Sequence, residues 1–244
     1  MKIKLLSILV IIIFGGIWQA FSGDIIPSPW QVAIFLKDSI MDGSLLKNIE
    51  SSLIRYIIGF VIGSVIAIVC AFIISSSKTL SKALDPLIQI LRPISPIAWF
   101  PIIVIVFGIG DLPTIFIIAY AIFFPMLLLT LSSIYSIDKV FYDASKNFGA
   151  SAFQRFINVT LPGSFVGISS ALKMSASLAW INLVVGEMVG AQSGLGYMII
   201  DQRNLLQTDG IIAAMVVIGI IGYCLHLIFE RIEKAIKRRL GSKV

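Results

Sequence analysis

The sequence predicts an all-α, polytopic membrane protein, and three observations carry that prediction. Hydrophobic residues make up 58% of the 244 residues and charged residues only 13%, with a mean hydropathy of +0.99. The apolar residues fall in segments of about 20, the length a helix needs to cross a bilayer, so the chain has room for about six spans and little else. The basic residues are also placed unevenly around those segments. The net charge of +6 is therefore read as membrane flanks rather than a nucleic-acid surface.

The first span is predicted at 3–21, between Lys2 and Lys4 on one side and Trp18, an interface anchor, near the other. Ala20-Phe21-Ser22 has the look of a signal-peptidase site, but the apolar run is long for a signal segment, so a retained span is expected. Pro27-Ser28-Pro29 follows. Trp30, Val32, Ala33, Phe35 and Leu36 then predict a short helix along the membrane surface. The second span is predicted at 53–74 and contains Gly59 and Gly63, a small-xxx-small pair that lets helices approach closely. The third apolar stretch, 84–108, carries Pro86, Pro93, Pro96 and Pro101, which should kink it or break it into segments. The remaining spans are predicted at 113–135 (with Pro125 inside), 165–189 and 211–229. The whole reads as one membrane domain, 1–244: a first span, an external segment at 22–48, a five-span core at 49–232 and a basic tail at 233–244.

Charge sets the orientation. With the N-terminus inside, the inner side holds Lys2, Lys4, Lys78, Lys82, Arg92, Lys139, Lys146, Arg155, Arg231, Lys234, Lys237, Arg238, Arg239 and Lys243. The outer side holds Lys37, Lys47 and Arg203, and Arg55 and Lys173 are expected to snorkel from span ends. Both termini and the loop 136–162 are thus expected in the cytoplasm of a multi-pass plasma or inner-membrane protein. Cys70 and Cys224 lie in apolar runs and read as small hydrophobes, and His226 is the only histidine, which argues against a metal site or a membrane enzyme.

The loop 136–162 holds the most legible local chemistry. A helix from about Asp138 to Phe148 meets Gly149, suited to a left-handed C-terminal position. Ser151 with Gln154 three residues on forms a capping box for a second short helix, and Pro162 is expected to separate that helix from the next span. Phe153, Phe156 and Ile157 share one face, with Tyr142 and Phe148 adding aromatic surface on the first helix. Two uses are open: packing against the chain's own spans, or docking in a groove on a cytoplasmic partner. In the fifth span Gly163, Gly167, Ala171, Ser175 and Ala179 recur every four residues. They mark either close helix packing or the wall of a solute pathway. Asn182 and Glu187 lie farther out, and Glu187 reads as either a gate contact or a structural hydrogen-bond acceptor.

The loop resembles the EAA loop of ABC-importer permeases: Glu-Ala-Ala, three residues, Gly, nine residues, Ile, one residue, Leu-Pro. Asp143, Ala144 and Ser145 stand in the first three slots, Gly149 in the glycine slot, Val159 in the Ile slot, and Leu161-Pro162 closes the motif. The segments around Ser51-Ser52-Leu53-Ile54-Arg55, Leu91-Arg92-Pro93-Ile94-Ser95-Pro96, Gly186-Glu187-Met188 and Gly194-Leu195-Gly196-Tyr197 are similar to the nitrate, aliphatic sulfonate and taurine permeases. The resemblance implies a type I importer bundle and a permease homodimer fed by an external solute-binding protein. It also implies an ATPase-coupling loop built on Asp143, Ala144, Ser145, Gly149, Ala150, Ser151, Phe153, Phe156, Val159, Leu161 and Pro162. The chain has no Gly-x-x-x-x-Gly-Lys-Ser/Thr loop, so ATP and Mg are expected on a separate ATPase and no cofactor or catalysis in this chain. A vitamin precursor such as a pyrimidine is an alternative cargo, and an ATP-independent secondary transporter or channel an alternative class.

Overall fold

Every regular element among the described residues is helical. The computed structural model describes residues 13, 15–23 and 26–239. Most of the expected first span, with Lys2 and Lys4, lies outside the described residues, as does Lys243 in the tail.

Helix α1 (Pro29–Met41) starts where the sequence places the surface helix. Ser28 caps it in a reciprocal box with Gln31, and Pro29 sits in the first turn, where a missing N–H costs nothing. Val32 is buried while Trp30, Ile34 and Met41 are exposed, as a helix lying on other helices requires. Gly43, with φ +78°, turns the chain into α2 (Ser44–Ser75). The Ser44 N–H donates to Asp42 and, with the Ser44 hydroxyl, holds that carboxyl below the usual range. Helix α2 begins nine residues before the apolar run that revealed it. Hydropathy marks what the bilayer covers, and helical hydrogen bonding continues through the polar turns at Asn48, Ser51 and Ser52.

The proline-rich stretch breaks, as expected. Helix α3 (Lys78–Leu91) keeps Pro86 inside it, and a 3₁₀ turn (Pro96–Trp99) leads into α4 (Phe100–Phe107). The two helices are bent by 83°, and the break falls at Pro93 and Pro96, while Pro101 occupies the tolerated first turn of α4. At 14 and 8 residues, about 21 and 12 Å, neither crosses a bilayer alone.

Helix α5 (Asp111–Tyr135) is the centre of the bundle. Ile117, Ile118, Ile122 and Met126 are fully enclosed, and α5 lies between α2 and the long helix α8 (Leu161–Gly190). Glycines set both approaches. A Cβ on Gly63 would meet the Ala119 backbone oxygen at 2.8 Å, and one on Gly167 would strike the Ser133 side chain. The short α9 (Leu195–Asn204) and the long α10 (Thr208–Arg239) complete the described chain. Two aromatic side chains on this frame find backbone partners: Tyr56 donates to Ala176 O at 3.1 Å and Trp180 Nε1 to Ile218 O at 3.0 Å. Among the described residues four helices are long and apolar enough to span a membrane, and α3 with α4 makes a fifth if the bent pair counts as one.

Candidate functional site

At one end of the bundle, the loop expected to dock a partner forms two helical arms. Helix α6 (Lys139–Asn147) is capped by Asp138, whose carboxylate accepts from Val140 N at 3.0 Å. Its C-terminus closes on Gly149 at φ +73°, with Ala150 N donating back to Ser145 O at 3.0 Å. Nothing lies within 4 Å of a Cβ built on Gly149, so the constraint there is conformational and not steric. Ser151 and Gln154 form the expected box at the head of α7 (Ala152–Arg155). The Tyr142 hydroxyl meets Thr160 Oγ1 at 3.1 Å and fixes one arm to the other.

The second arm departs from expectation. Pro162 does not separate it from the following span. A π turn (Phe156–Thr160) joins α7 to α8, and Ala152–Gly190 runs as one helical element of 39 residues. The physical reason is local. Leu161 N bonds back to Phe156 O in a π turn, and this wider turn carries the helix past Pro162, which has no N–H to give. The elbow is thus the end of a rod about 55 Å long by helical rise.

The aromatic face divides between the two uses left open. Phe156 packs edge-on against Phe72 of α2, with ring centres 5.1 Å apart. Phe153 and Ile157 are exposed, and Phe148 is 91% exposed. On α6 the outward ring is Phe141, while Tyr142 turns inward to Thr160. Phe141, Val159 and Pro162 line a cavity of about 490 Å³ in the crook of the elbow, beside Asp138 and Gly163. Asp143 and Ala144 are exposed, Ala150 is partly buried, and the Ser145 hydroxyl is satisfied by Tyr142 O at 2.8 Å within its own helix. Exposed large apolar side chains on such a small, well-capped unit suit a contact with a protein or with the membrane surface.

At the far end of the rod is a constellation that sequence reasoning only half found. Glu187 is 1% exposed. Its carboxylate accepts from the Ser52 hydroxyl at 2.9 Å, Arg55 Nη1 at 2.8 Å and Gly196 N at 2.9 Å. Arg55, expected to snorkel, is instead 4% exposed and fully committed. It donates to Asp111 at 2.7 Å and to the Ser193 carbonyl and hydroxyl at 2.7 and 2.6 Å. Ser52 Oγ also accepts from Leu195 N, and Asn48 accepts from Gly194 N, both at 2.8 Å. Gly194 and Gly196 are required here: a Cβ on either would meet the Glu187 side chain, and Gly194 has φ +107°. Four segments, the heads of α2 and α5, the tail of α8 and the 193–196 turn, are clamped through one buried ion pair. Of the two roles open for Glu187, this geometry is the structural acceptor.

The small-residue stripe of α8 turns toward α5. Ala171, Ser175 and Ala179 are buried, with Ser175 Oγ 3.6 Å from Met126 Sδ, so their placement is that of a packing seam and not a pathway wall. Asn182 is half-buried and donates to Leu178 O at 2.9 Å in its own helix. Lys173, also expected to snorkel, lies mid-helix and pairs with Glu233 at 3.1 Å. Among the described residues, no three His, Cys, Asp or Glu side chains gather as a metal site.

Known proteins share both the fold and the sequence pattern. The permease of the MetNI methionine ABC transporter, in an inward-facing crystal form, superposes with a TM-score of 0.67 at 19% identity, covering 80% of this chain and 97% of that one. An amino acid ABC transporter crystallised with histidines gives 0.67 at 15%, covering 84% and 98%. These establish the fold. The taurine transport system permease protein TauC of Escherichia coli is 32% identical over 227 residues, 91% of this chain and 81% of its own length. The nitrate import permease protein NrtB of Synechococcus elongatus is 30% identical over 231 residues, 87% and 82%. Residues 59–242 match the family described as binding-protein-dependent transport system inner membrane component, and the chain therefore belongs to it: an inner-membrane ABC-importer permease, the transport subunit and not the catalytic one.

Proposed function

We propose that this permease imports a small oxyanion of the sulfonate, taurine or nitrate class, as a homodimer bound to two cytoplasmic ATPases and served by an external solute-binding protein. The observation that carries the reading is the exposed aromatic elbow at the end of an unbroken rod, Ala152–Gly190, whose other end is clamped to α2 and α5. ATP and Mg sit on the ATPases. Each ATPase takes one elbow in a cleft, with Phe141, Phe148 and Phe153 as anchors. When the ATPases close, the elbows move together. The rod carries the motion outward, and the Arg55–Glu187 clamp makes the outer ends of α2, α5 and α8 follow as one body. The pathway opens between the copies. The surplus of basic residues beside the elbow supports a cytoplasmic position for it and for both termini.

Two measurements test this. In Phe148→Asp, an anchor becomes a charge, and affinity for the ATPase should fall by about thirtyfold, the ~2 kcal/mol of a central aromatic contact. The variant chain should still reach the membrane, because Phe148 touches no core residue; undiminished co-purification with the ATPase would show that the elbow is not the docking element. For the cargo, calorimetry on the external solute-binding protein that serves this permease should show tight binding of a sulfonate or nitrate. Preference for an uncharged pyrimidine would overturn the cargo assignment and leave the importer intact.

A further inference from the structure

The seam of α8 packs on α5, but a second stripe lies about 200° round the same helix, two residues further on at each step. It runs through Lys173 and Ser177, with Ser170 one turn before Lys173; α10 covers part of it through Glu233, which meets Ser170 and Lys173, while Ser177 is exposed. Lys173 keeps 29% of its side chain exposed. By helical rise it is about 18 Å from Leu161 and about 21 Å from Glu187, and its partner Glu233 stands at the basic end of α10 beside Lys234 and Lys237, so its ammonium reaches toward the elbow end of the bundle. A partly exposed ammonium paired on one side with Glu233, with Ser170 and Ser177 beside it, makes a polar face that suits water or protein better than acyl chains.

A cavity of about 380 Å³ opens on the stripe, lined by Ser170, Lys173, Ser177, His226 and Glu233. It continues along α8 into a smaller one of about 180 Å³ that shares Ser177 and His226 and passes Trp180. Glu233 is 8% exposed and does not make the site anionic. Its carboxylate is shared between Lys173 at 3.1 Å and Lys237 at 2.8 Å, and Ser170 donates to it at 2.7 Å. Two ammoniums on one carboxylate, with the neighbouring Glu230 neutralised by Lys234 at 2.6 Å, leave a net single positive charge. Lys173 spends one of its three donors on Glu233; the others have no partner among the described residues and are free toward the cavity.

We propose that Lys173 binds the transported oxyanion, at a station on the α8–α10 face, toward the elbow end of the span, that a second copy of this chain covers. This rests on the reading that the pathway runs between two copies. The anion lies on the free donors of Lys173, with Ser177 and His226 beside it, while Lys237 and Ser170 hold the Glu233 carboxylate back. A singly charged sulfonate or nitrate suits one net positive charge, which is strong enough to attract the ion and weak enough to release it.

The test uses the whole transporter, permease with its ATPase, in membrane vesicles. Cys70 and Cys224 are first replaced by Ala and Ser, and Ser177→Cys supplies the reporter thiol. Its modification by 2-sulfonatoethyl methanethiosulfonate is compared with that by the trimethylammonium analogue, each normalised to a free thiol in solution. The sulfonate reagent should react about tenfold faster, the focusing expected of a buried charge. Lys173→Met should erase the preference and Lys173→Arg retain it. With Lys173 intact, nitrate should slow the sulfonate reagent more than gluconate at equal ionic strength does. No reaction with either reagent would overturn the site together with the pathway reading. Reaction with both, indifferent to Lys173→Met or unprotected by nitrate, would overturn the anion site and leave the pathway reading standing.

Discussion

Arg55→Leu should destabilise the permease by about 3–5 kcal/mol, the largest single-site effect expected in the chain, because it leaves a buried carboxylate without its cation. The loss reaches beyond one pair. Glu187 keeps only Ser52 and Gly196 N, Ser193 loses both contacts, and Asp111 is released from the head of α2. The variant should show a lowered midpoint in thermal unfolding of the detergent-solubilised transporter. Adding Glu187→Gln should recover part of the loss, since the amide removes the stranded charge and still accepts from Ser52 and Gly196. A double variant no better than the single one would mean that Arg55 acts through packing alone. An undisturbed midpoint in Arg55→Leu would mean that the clamp does not hold the outer ends together.

Inserting Gly-Gly between Thr160 and Leu161 should leave ATP hydrolysis running while uptake falls by about tenfold or more, within the range of ordinary coupling energies. The insertion enters where the π turn feeds α8, and each glycine costs about 1 kcal/mol of helix. Phe148, Phe153 and the Gly149 turn stay intact, so the ATPase still finds its elbow. The broken part is the rigid link from elbow to clamp. The same insertion between Leu206 and Gln207, in the turn between α9 and α10 where Leu206 has φ +57°, should cost little transport. Equal losses at both places would point to general damage and not to the rod.

Much of the elbow was legible because its chemistry is local. Asp138, Gly149 and the Ser151–Gln154 box act within five residues of themselves, and each does in the structure what its type and spacing imply. The join at Phe156–Thr160 was not legible, since a proline read alone marks a break. Only the surrounding hydrogen bonding shows that a wider turn carries the helix past Pro162. The clamp was hidden for another reason. Ser52, Arg55, Glu187 and Gly194 each stood in segments singled out by resemblance, yet Arg55 and Glu187 are 132 residues apart, and no local pattern reveals that they meet. A buried carboxylate did demand a partner, and Arg55 was the signal that could have answered it. The four-residue repeat at Ala171, Ser175 and Ala179 showed close approach without showing to what. Its contact with α5 leaves the opposite stripe, with Lys173 and Ser177, to α10 and the cavity beside it.

The rod is tested most directly by the distance between two copies of its outer end. Val189, exposed and two residues beyond Glu187, can carry a spin label as Val189→Cys in a transporter free of Cys70 and Cys224. Pulsed dipolar spectroscopy would then read the label-to-label separation with and without ATP under non-hydrolysing conditions. ATP should shift the separation in the otherwise unaltered transporter, and the Gly-Gly insertion after Thr160 should abolish the shift while nucleotide still binds. A shift of equal size in the insertion variant would show that the motion reaches the outer face by another route, and the account of a single helix joining elbow to clamp would be wrong.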